Sequence, residues 1–361
     1  MKIDFILRNH DDTPSGGRKV IYSYANYLAD KGHTVTIWFL GDTPFYSRHA
    51  NLFKQILHWI HYVRSVKNQE EITWFRLNPK VMIKSGFHLP KNFTNKNGCV
   101  VAFDYGISLY LYEHYPTLRN NLIHFIQADE RVYDAADIVE SAWRLPIHKV
   151  VVSLWLKQLL SAYNNNISLV PNYLEKEKFY LESTIEQRDY TVSLLNHASP
   201  SKGTSEGLAV INLAKKQIPN LRVIMFGNGN RPETLSDNDQ YFQMATPQQL
   251  RQQVYNQSAI YLQMSHSEGW GLTATEAMAC GCTLLSTNNG GISDFAKDKY
   301  SALIVSVGDI TEATKKLVYL LSHQKERVRI ASNGLKSVSQ YTFKNSAAAF
   351  EEILDRIGSG L

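Results

Sequence analysis

The sequence predicts an α/β protein built from two doubly wound, Rossmann-like units, and three observations predict it. Short apolar runs alternate with helical patterns along most of the chain. Those runs are apolar at successive positions, as strands covered by helices on both faces must be. The alternation runs to completion once and then begins again beyond Val170-Pro171-Asn172.

The elements follow in chain order. Residues 3–7 read as the first strand, and Ser15-Gly16-Gly17 as the turn after it. Val20, Ile21, Tyr24, Ala25 and Leu28 then recur at helical spacing, with Gly32 as the stop signal. Further strands are expected at 34–40, 99–103, 122–126, 150–153 and 168–170. The second unit is expected to place strands at 191–195, 221–226, 240–242, 259–264, 283–286 and 302–305, with helices from Ile310 onward. The final pattern, 346–357, is a helix that follows a completed sheet and must bury its apolar face elsewhere. The expected division is 1–170 for the first unit, 171–345 for the second, and 346–361 for a helix crossing back to the first.

Bulk properties narrow the function. A chain of 361 residues with 44% hydrophobic content is too long for one ordinary core. The formal charge of +5 suits an anionic substrate, a membrane surface or an ordinary protein surface, and lacks the dense basic stripe of a nucleic-acid binder. Three cysteines, two of them in Cys280-Gly281-Cys282, argue against a disulfide framework and for a reducing, cytoplasmic setting. Asp4 and Arg8 interrupt the first apolar run too early for a signal peptide, and no run reaches the ~18 residues of a membrane span. Within 52–64, Leu52, Phe53, Ile56, Leu57, Trp59, Ile60 and Val63 form an apolar stripe flanked by Lys54, His58, His61 and Arg64. Such a helix either lies on its own sheet or makes a peripheral contact with an anionic membrane.

The strongest chemical signal is Ser267-Glu268-Gly269-Trp270-Gly271-Leu272-Thr273-Ala274-Thr275-Glu276. It follows a strand and opens a helix. Its glycines let the backbone approach a ligand, and a helix N-terminus presents free N–H groups to an anion. Two carboxylates flanking that start can each accept hydroxyl donors, as sugar and ribose diols require.

Glu268 and Glu276, with seven residues between them, resemble the E-x7-E motif of retaining glycosyltransferases of family 4, which have the GT-B fold. Ser15-Gly16-Gly17 resembles the family's first glycine loop, Gly32-His33-Thr34-Val35 its entry to the second strand, and Val170-Pro171-Asn172 its interdomain segment. Ser201-Lys202-Gly203, Phe226-Gly227-Asn228-Gly229 and Asn289-Gly290-Gly291 resemble its donor loops.

The resemblance implies a metal-independent hexosyl transfer, without cofactor, from a nucleotide-sugar donor to a glycan or lipid-linked acceptor in polysaccharide or glycoconjugate synthesis. It implies that Glu268 contacts the sugar and Glu276 the ribose. It further implies that backbone from Trp270, Gly271, Leu272 and Thr273 holds sugar and diphosphate, and that Lys202 neutralises the leaving group. Gly16, Gly17, Gly227, Asn228 and Gly229 join the donor set, with Met244 and Ala245 beside the base. His197 stands where many relatives carry an Arg, so it, Arg231 or Arg18 would supply the second cation. Gln127 stands where many carry a catalytic His, a feature of rhamnosyltransferase-like members; His124, three residues before it, is either a second catalytic candidate or a buried packing residue. The resemblance also implies that 1–170 binds the acceptor and 171–345 the nucleotide-sugar. Asp104 and Asp129, at strand ends, either bind acceptor or cap helices. A nucleotide-sugar epimerase and a non-catalytic nucleotide-sugar-binding subunit are the alternative readings.

Overall fold

The computed structural model describes residues 1–8, 14–41, 72–95 and 97–359, so the amphipathic segment 52–64 lies outside the described residues. The chain divides into two compact units, one formed by Met1–Pro171 with Lys344–Leu361 and the other by Asn172–Phe343.

The first unit contains β1 (Lys2–Arg8), α1 (Gly16–Asp30), β2 (Thr34–Leu40), β3 (Met82–Gly86), β4 (Gly98–Ala102), α2 (Tyr105–His114), β5 (Leu122–Ile126), α3 (Ala136–Trp143), β6 (His148–Val151), α4 (Leu154–Leu160) and β7 (Ile167–Leu169). Among the described residues its strands order as β3-β2-β1-β4-β5-β6-β7, all parallel. The inner strands β4 and β5 are buried at every residue, which is why they read as continuous apolar runs. The edge strand β3 is half exposed and carries Lys84 and Ser85, so its residues give no apolar run to read. Two local expectations are corrected. Gly16 and Gly17 are the first turn of α1 rather than a loop, with Ser15 as N-cap. The strand expected at 150–153 ends at Val151, because the Ser153 side chain accepts from the Leu156 N–H and caps α4.

The second unit contains β8 (Thr191–Asn196), α5 (Thr204–Lys215), β9 (Arg222–Gly227), β10 (Gln240–Gln243), β11 (Ile260–Gln263), α6 (Leu272–Ala279), β12 (Thr283–Thr287), β13 (Leu303–Val305), α7 (Ile310–Ser322) and α8 (Gln324–Val338). A helical stretch over 247–255 precedes β11, and its segment Leu250–Tyr255 is a π-helix. The parallel strands order as β10-β9-β8-β11-β12-β13. Val192, Leu194, Val223, Met225, Leu262 and Leu285 meet Val210, Ala214, Leu317 and Leu321 of the covering helices in one core.

The last helix, α9 (Phe343–Gly358), packs on the first unit through residues 344 onward. Phe350 is fully buried, with ring centroids 4.8 Å from Tyr24, 5.4 Å from Phe125 and 6.3 Å from Phe5. The Tyr24 hydroxyl shares a hydrogen bond with Ser346 Oγ at 2.7 Å, and Tyr27 donates to Glu351 at 2.7 Å. Sixteen residues of helix thus complete a core whose other members lie at the opposite end of the sequence. Phe350→Ala is expected to destabilise the first unit by about 3–5 kcal/mol, the cost of losing a buried aromatic ring. Denaturant unfolding checks this; a loss below about 1 kcal/mol would show that α9 rests on the unit without completing its core.

Candidate functional site

In an open parallel sheet, ligands bind beyond the carboxyl ends of the strands where the strand order reverses. In the second unit that point lies between β8 and β11, paired as Ile260 with Val192 and Tyr261 with Ser193. The loop after β8 carries Lys202 and the loop after β11 carries Glu268. They meet there, with Lys202 Nζ 2.8 Å from Glu268 Oε2. The other oxygen, Oε1, accepts from Ser265 Oγ at 2.8 Å and Gln263 Nε2 at 3.4 Å. The Glu268 backbone is pinned as well. Its N–H donates to Asn289 at 2.8 Å, and Gly291 N–H donates back to its carbonyl at 2.9 Å. The Asn289-Gly290-Gly291 segment therefore acts as a strap on the Glu268 loop. Ser265 and Gln263 escaped the sequence reading because one follows and the other ends a strand that reads simply as core.

Gly271 then turns the chain into α6. Its φ of +101° lies in the left-handed region, which a side chain at this position would strain. Leu272 and Thr273 are half-buried in the first turn, and Glu276 follows one turn on, mostly buried. Tyr255 Oη donates to Glu276 Oε2 at 3.4 Å, and Tyr261 Oη to Thr273 Oγ1 at 2.8 Å. The Trp270 side chain is turned into the core. Its indole is 2% exposed and packs 5.3 Å from the Phe295 ring and 4.9 Å from that of Tyr341.

Further residues of the second unit surround the same strand ends. A Cβ at Gly227 would lie 2.0 Å from the Asn196 carbonyl oxygen, so β9 can approach β8 only with glycine here. Asn228 and Gly229 continue this loop, whose Gly229 carbonyl accepts from Tyr241 Oη. Met244 N–H donates to the Gly227 carbonyl at 2.8 Å. Met244 holds φ at 49°, a left-handed conformation uncommon for a non-glycine residue, and is exposed, while Ala245 beside it is half-buried. His197 Nδ1 accepts from the Ser199 N–H at 3.0 Å, which leaves the hydrogen of the neutral ring on Nε2. Desolvation first, then repulsion from Lys202, lowers its pKa below the ordinary histidine value, with Glu268 opposing. At neutral pH the ring is therefore a neutral donor. Arg231 spends its guanidinium on the carbonyls of Leu235 and Ser236, at 3.1 and 2.7 Å.

The first unit gathers a second set of residues at its own strand ends. Gln127 follows β5, and its Nε2 donates to the Gly17 carbonyl at 3.1 Å, joining two predicted residues. A Cβ on Gly17 would come within 3.3 Å of Phe103 and 3.4 Å of Gln127, so a side chain here would press on both. The catalytic reading of His124 is corrected. The ring is fully buried within β5 and its Nε2 lies 3.1 Å from Glu130, so no ligand reaches it. Glu130 was not singled out in the sequence. It accepts from Tyr105 N–H at 2.8 Å and Trp143 Nε1 at 2.9 Å as well, tying α2, α3 and β5 together. Asp104 caps α2 by accepting from the Ile107 N–H and pairs with Arg8 at 2.5 Å. Asp129 accepts from the Arg131 N–H and pairs with its guanidinium at 2.8 Å. Among the described residues no group of three or more His, Cys, Asp or Glu side chains is arranged to hold a metal ion, and all three cysteines are free and buried.

The sequence and the fold were compared with known proteins. Residues 175–337 match the family of glycosyl transferases, group 1. The chain is 22% identical over 226 residues to the capsular polysaccharide biosynthesis glycosyltransferase CapM of Staphylococcus aureus, an overlap of 57% of this chain and 58% of that protein. An uncharacterized glycosyltransferase of Methanocaldococcus jannaschii is 23% identical over 93 residues, 26% of each chain. The chain therefore spans between about a quarter and three fifths of the length of these two relatives. Among solved structures, sucrose-phosphate synthase from Thermosynechococcus elongatus superposes with a TM-score of 0.71 at 13% identity, covering 100% of both chains. HepE of Anabaena, in complex with UDP-glucose, superposes with a TM-score of 0.70 at 13% identity, covering 99% of this chain and 100% of that one. The chain thus has the GT-B fold, and its residues 175–337 match the group 1 glycosyl transferase family.

Proposed function

We propose that this protein is a glycosyltransferase that moves a sugar, with retention of configuration, from a nucleoside-diphosphate-sugar to a glycan or lipid-linked acceptor. One observation carries the reading. Lys202 and Glu268 meet at the switch point of the second sheet, beside the glycine-led start of the helix that bears Glu276. HepE, a structural neighbour, is seen with UDP-glucose, and CapM, a sequence relative, serves capsular polysaccharide synthesis.

The chemistry follows from the charges. As the glycosidic bond of such a donor breaks, negative charge grows on the departing diphosphate. Lys202, the N–H groups of Leu272 and Thr273, and the neutral His197 donor supply a preorganised positive field for that charge. These groups carry the proposal that no metal is required. Glu268, held by three donors, offers fixed acceptor sites to sugar hydroxyls, and Glu276 offers them to the ribose diol. The exposed, left-handed Met244 loop is assigned to the base. Asp104 and Asp129 remain proposed acceptor contacts only insofar as acceptor hydroxyls share carboxylates already used in caps.

The reading is tested by incubating the protein with a panel of labelled nucleotide sugars, deoxysugar donors included, in EDTA with glycan and lipid-linked acceptors. Labelled product with the anomeric configuration of the donor is expected. Epimerised donor, or binding without turnover across the whole panel, would overturn it. Glu276→Gln should weaken UDP binding about 10- to 100-fold, as expected for hydrogen bonds to a charged group; unchanged calorimetric affinity would remove the ribose role. Gln127 lies in the other unit from both glutamates, so Gln127→Ala should lower turnover more than about tenfold while leaving donor affinity within about twofold. Equal losses in both would argue against a part in the chemical step.

A further inference from the structure

Two buried tyrosines stand behind α6 and are not used by the reading above. Tyr255 is 0% exposed and Tyr261 is 1% exposed. They come from different elements, the helical stretch 247–255 and strand β11, and their rings meet edge to face at 5.9 Å. Phe226 of β9 packs on both, 5.6 Å from Tyr255 and 6.4 Å from Tyr261. A core lined this way would be filled equally well by phenylalanine. A buried hydroxyl without a partner costs roughly 1–3 kcal/mol, so each phenol must be matched. Among the described residues, each has one hydrogen-bond partner, and both partners lie on α6. Tyr255 donates to the Glu276 carboxylate and Tyr261 to the Thr273 hydroxyl. Thr273 and Glu276 are three apart and share one helix face.

The direction of the second bond matters. Thr273 Oγ1 accepts the Tyr261 hydrogen, and no acceptor among the described residues takes the hydrogen of Thr273 itself. That hydrogen is left to point outward from a half-buried side chain at the start of the helix. Hydrogen bonds in series polarise one another, so a hydroxyl that is receiving a bond becomes a stronger donor. Arg188 fixes the backbone that carries this arrangement. Its guanidinium is 7% exposed and donates to the Tyr255 carbonyl at 3.2 Å, that of Ser258 at 2.8 Å and that of Cys280 at 2.5 Å. One cation thereby ties the carboxyl end of α6 to the carboxyl end of the stretch that bears Tyr255.

We propose that Tyr255 and Tyr261 are positioning residues of the donor site. Tyr255 holds the Glu276 carboxylate toward its ligand, and Tyr261 turns the Thr273 hydroxyl hydrogen outward to donate to the nucleotide's phosphate. This rests on the reading of α6 as the donor-binding helix and adds side-chain recognition of phosphate to the backbone contacts assigned there.

The test is a pair of double-mutant cycles on the full-length chain. Calorimetry with whichever of UDP, GDP and ADP the wild type binds most tightly gives the affinities, and thermal unfolding monitors the fold. Tyr255→Phe and Tyr261→Phe should each weaken binding about 3- to 10-fold. Tyr255→Phe should add nothing to Glu276→Gln, and Tyr261→Phe nothing to Thr273→Val, because each tyrosine acts through its partner. Thr273→Ser, which keeps the hydroxyl, should retain both the affinity and its sensitivity to Tyr261→Phe. Wild-type affinity in both tyrosine variants, or losses that simply add to those of the partner substitutions, would overturn this inference while leaving the donor site standing. A wild-type chain that binds none of the three nucleotides would overturn both. The two cycles are independent, so a variant that fails to fold leaves the other to decide.

Discussion

The architecture of the second unit turns on one carboxylate. Glu268 is only 11% exposed, at a place where two loops from different strands converge. A buried carboxylate without partners would leave its charge unanswered and destabilise the loop that carries it. Three donors prevent this, and each comes from a different part of the chain: Lys202 after β8, Gln263 within β11 and Ser265 just beyond it. Because they approach from different directions, the carboxylate has little freedom to rotate. The strap from Asn289 and Gly291 fixes the backbone beneath it. The direction in which α6 leaves Gly271 is consequently set before any ligand arrives, and preorganisation of this kind is what electrostatic recognition requires.

The same constraint explains why α6 can be short. Eight residues span about 12 Å and bury almost every side chain, so the helix is shaped by its ends more than by amphipathic patterning. At its N-terminus a left-handed glycine leaves backbone donors without intrahelical partners. At its carboxyl end Arg188 places a cation on the Cys280 carbonyl, which favours the helix dipole. The partners of Arg188 are mainly backbone carbonyls, so its charge is answered by peptide dipoles. Burial pushes the Cys282 thiol beside it up to about 11, with Arg188 opposing, so that sulfur stays neutral and adds no competing charge.

Much of this was legible in the sequence, and the failures share a cause. Inner strands such as β4 and β5 are buried on both faces, so their residues had no choice but to be apolar. The Glu268 to Glu276 block was legible because glycine is the residue that a left-handed turn and a close backbone approach both select. Edge strand β3 was missed because one exposed face removes that selection. Gly16 and Gly17 were read as a turn, whereas they open a helix, with Gly17 lying close against Phe103 and Gln127. His124 and Gln127 sit three apart, and only burial separates them: one is sealed on Glu130, the other lies at the strand end. Tyr255 and Tyr261 left no trace, because in a sequence a tyrosine that packs and one that also aims its hydroxyl are the same letter.

The sequence left Asp104 and Asp129 open between acceptor binding and helix capping, and the structure distinguishes them from Glu268 by their partners. Asp104, Asp129 and Glu268 all have cations beside them, so the presence of a partner does not set Glu268 apart. The nature of the partner does. Asp104 and Asp129 are gripped by arginines, each through two guanidinium nitrogens, and each carboxylate also caps a helical turn. A planar fork matched to a carboxylate is slow to give up its geometry. Lys202 is different: its ammonium is a single point charge on a flexible stem, 28% exposed, and bonded to one oxygen. On the proposed reading it swings toward an incoming diphosphate while Ser265 and Gln263 keep Glu268 in place. The Asp104 and Asp129 carboxylates are therefore fixed by their caps and arginines, while the Lys202–Glu268 pair is held firmly on the carboxylate side and loosely on the cation side, the asymmetry that the proposed exchange of an internal partner for a ligand needs.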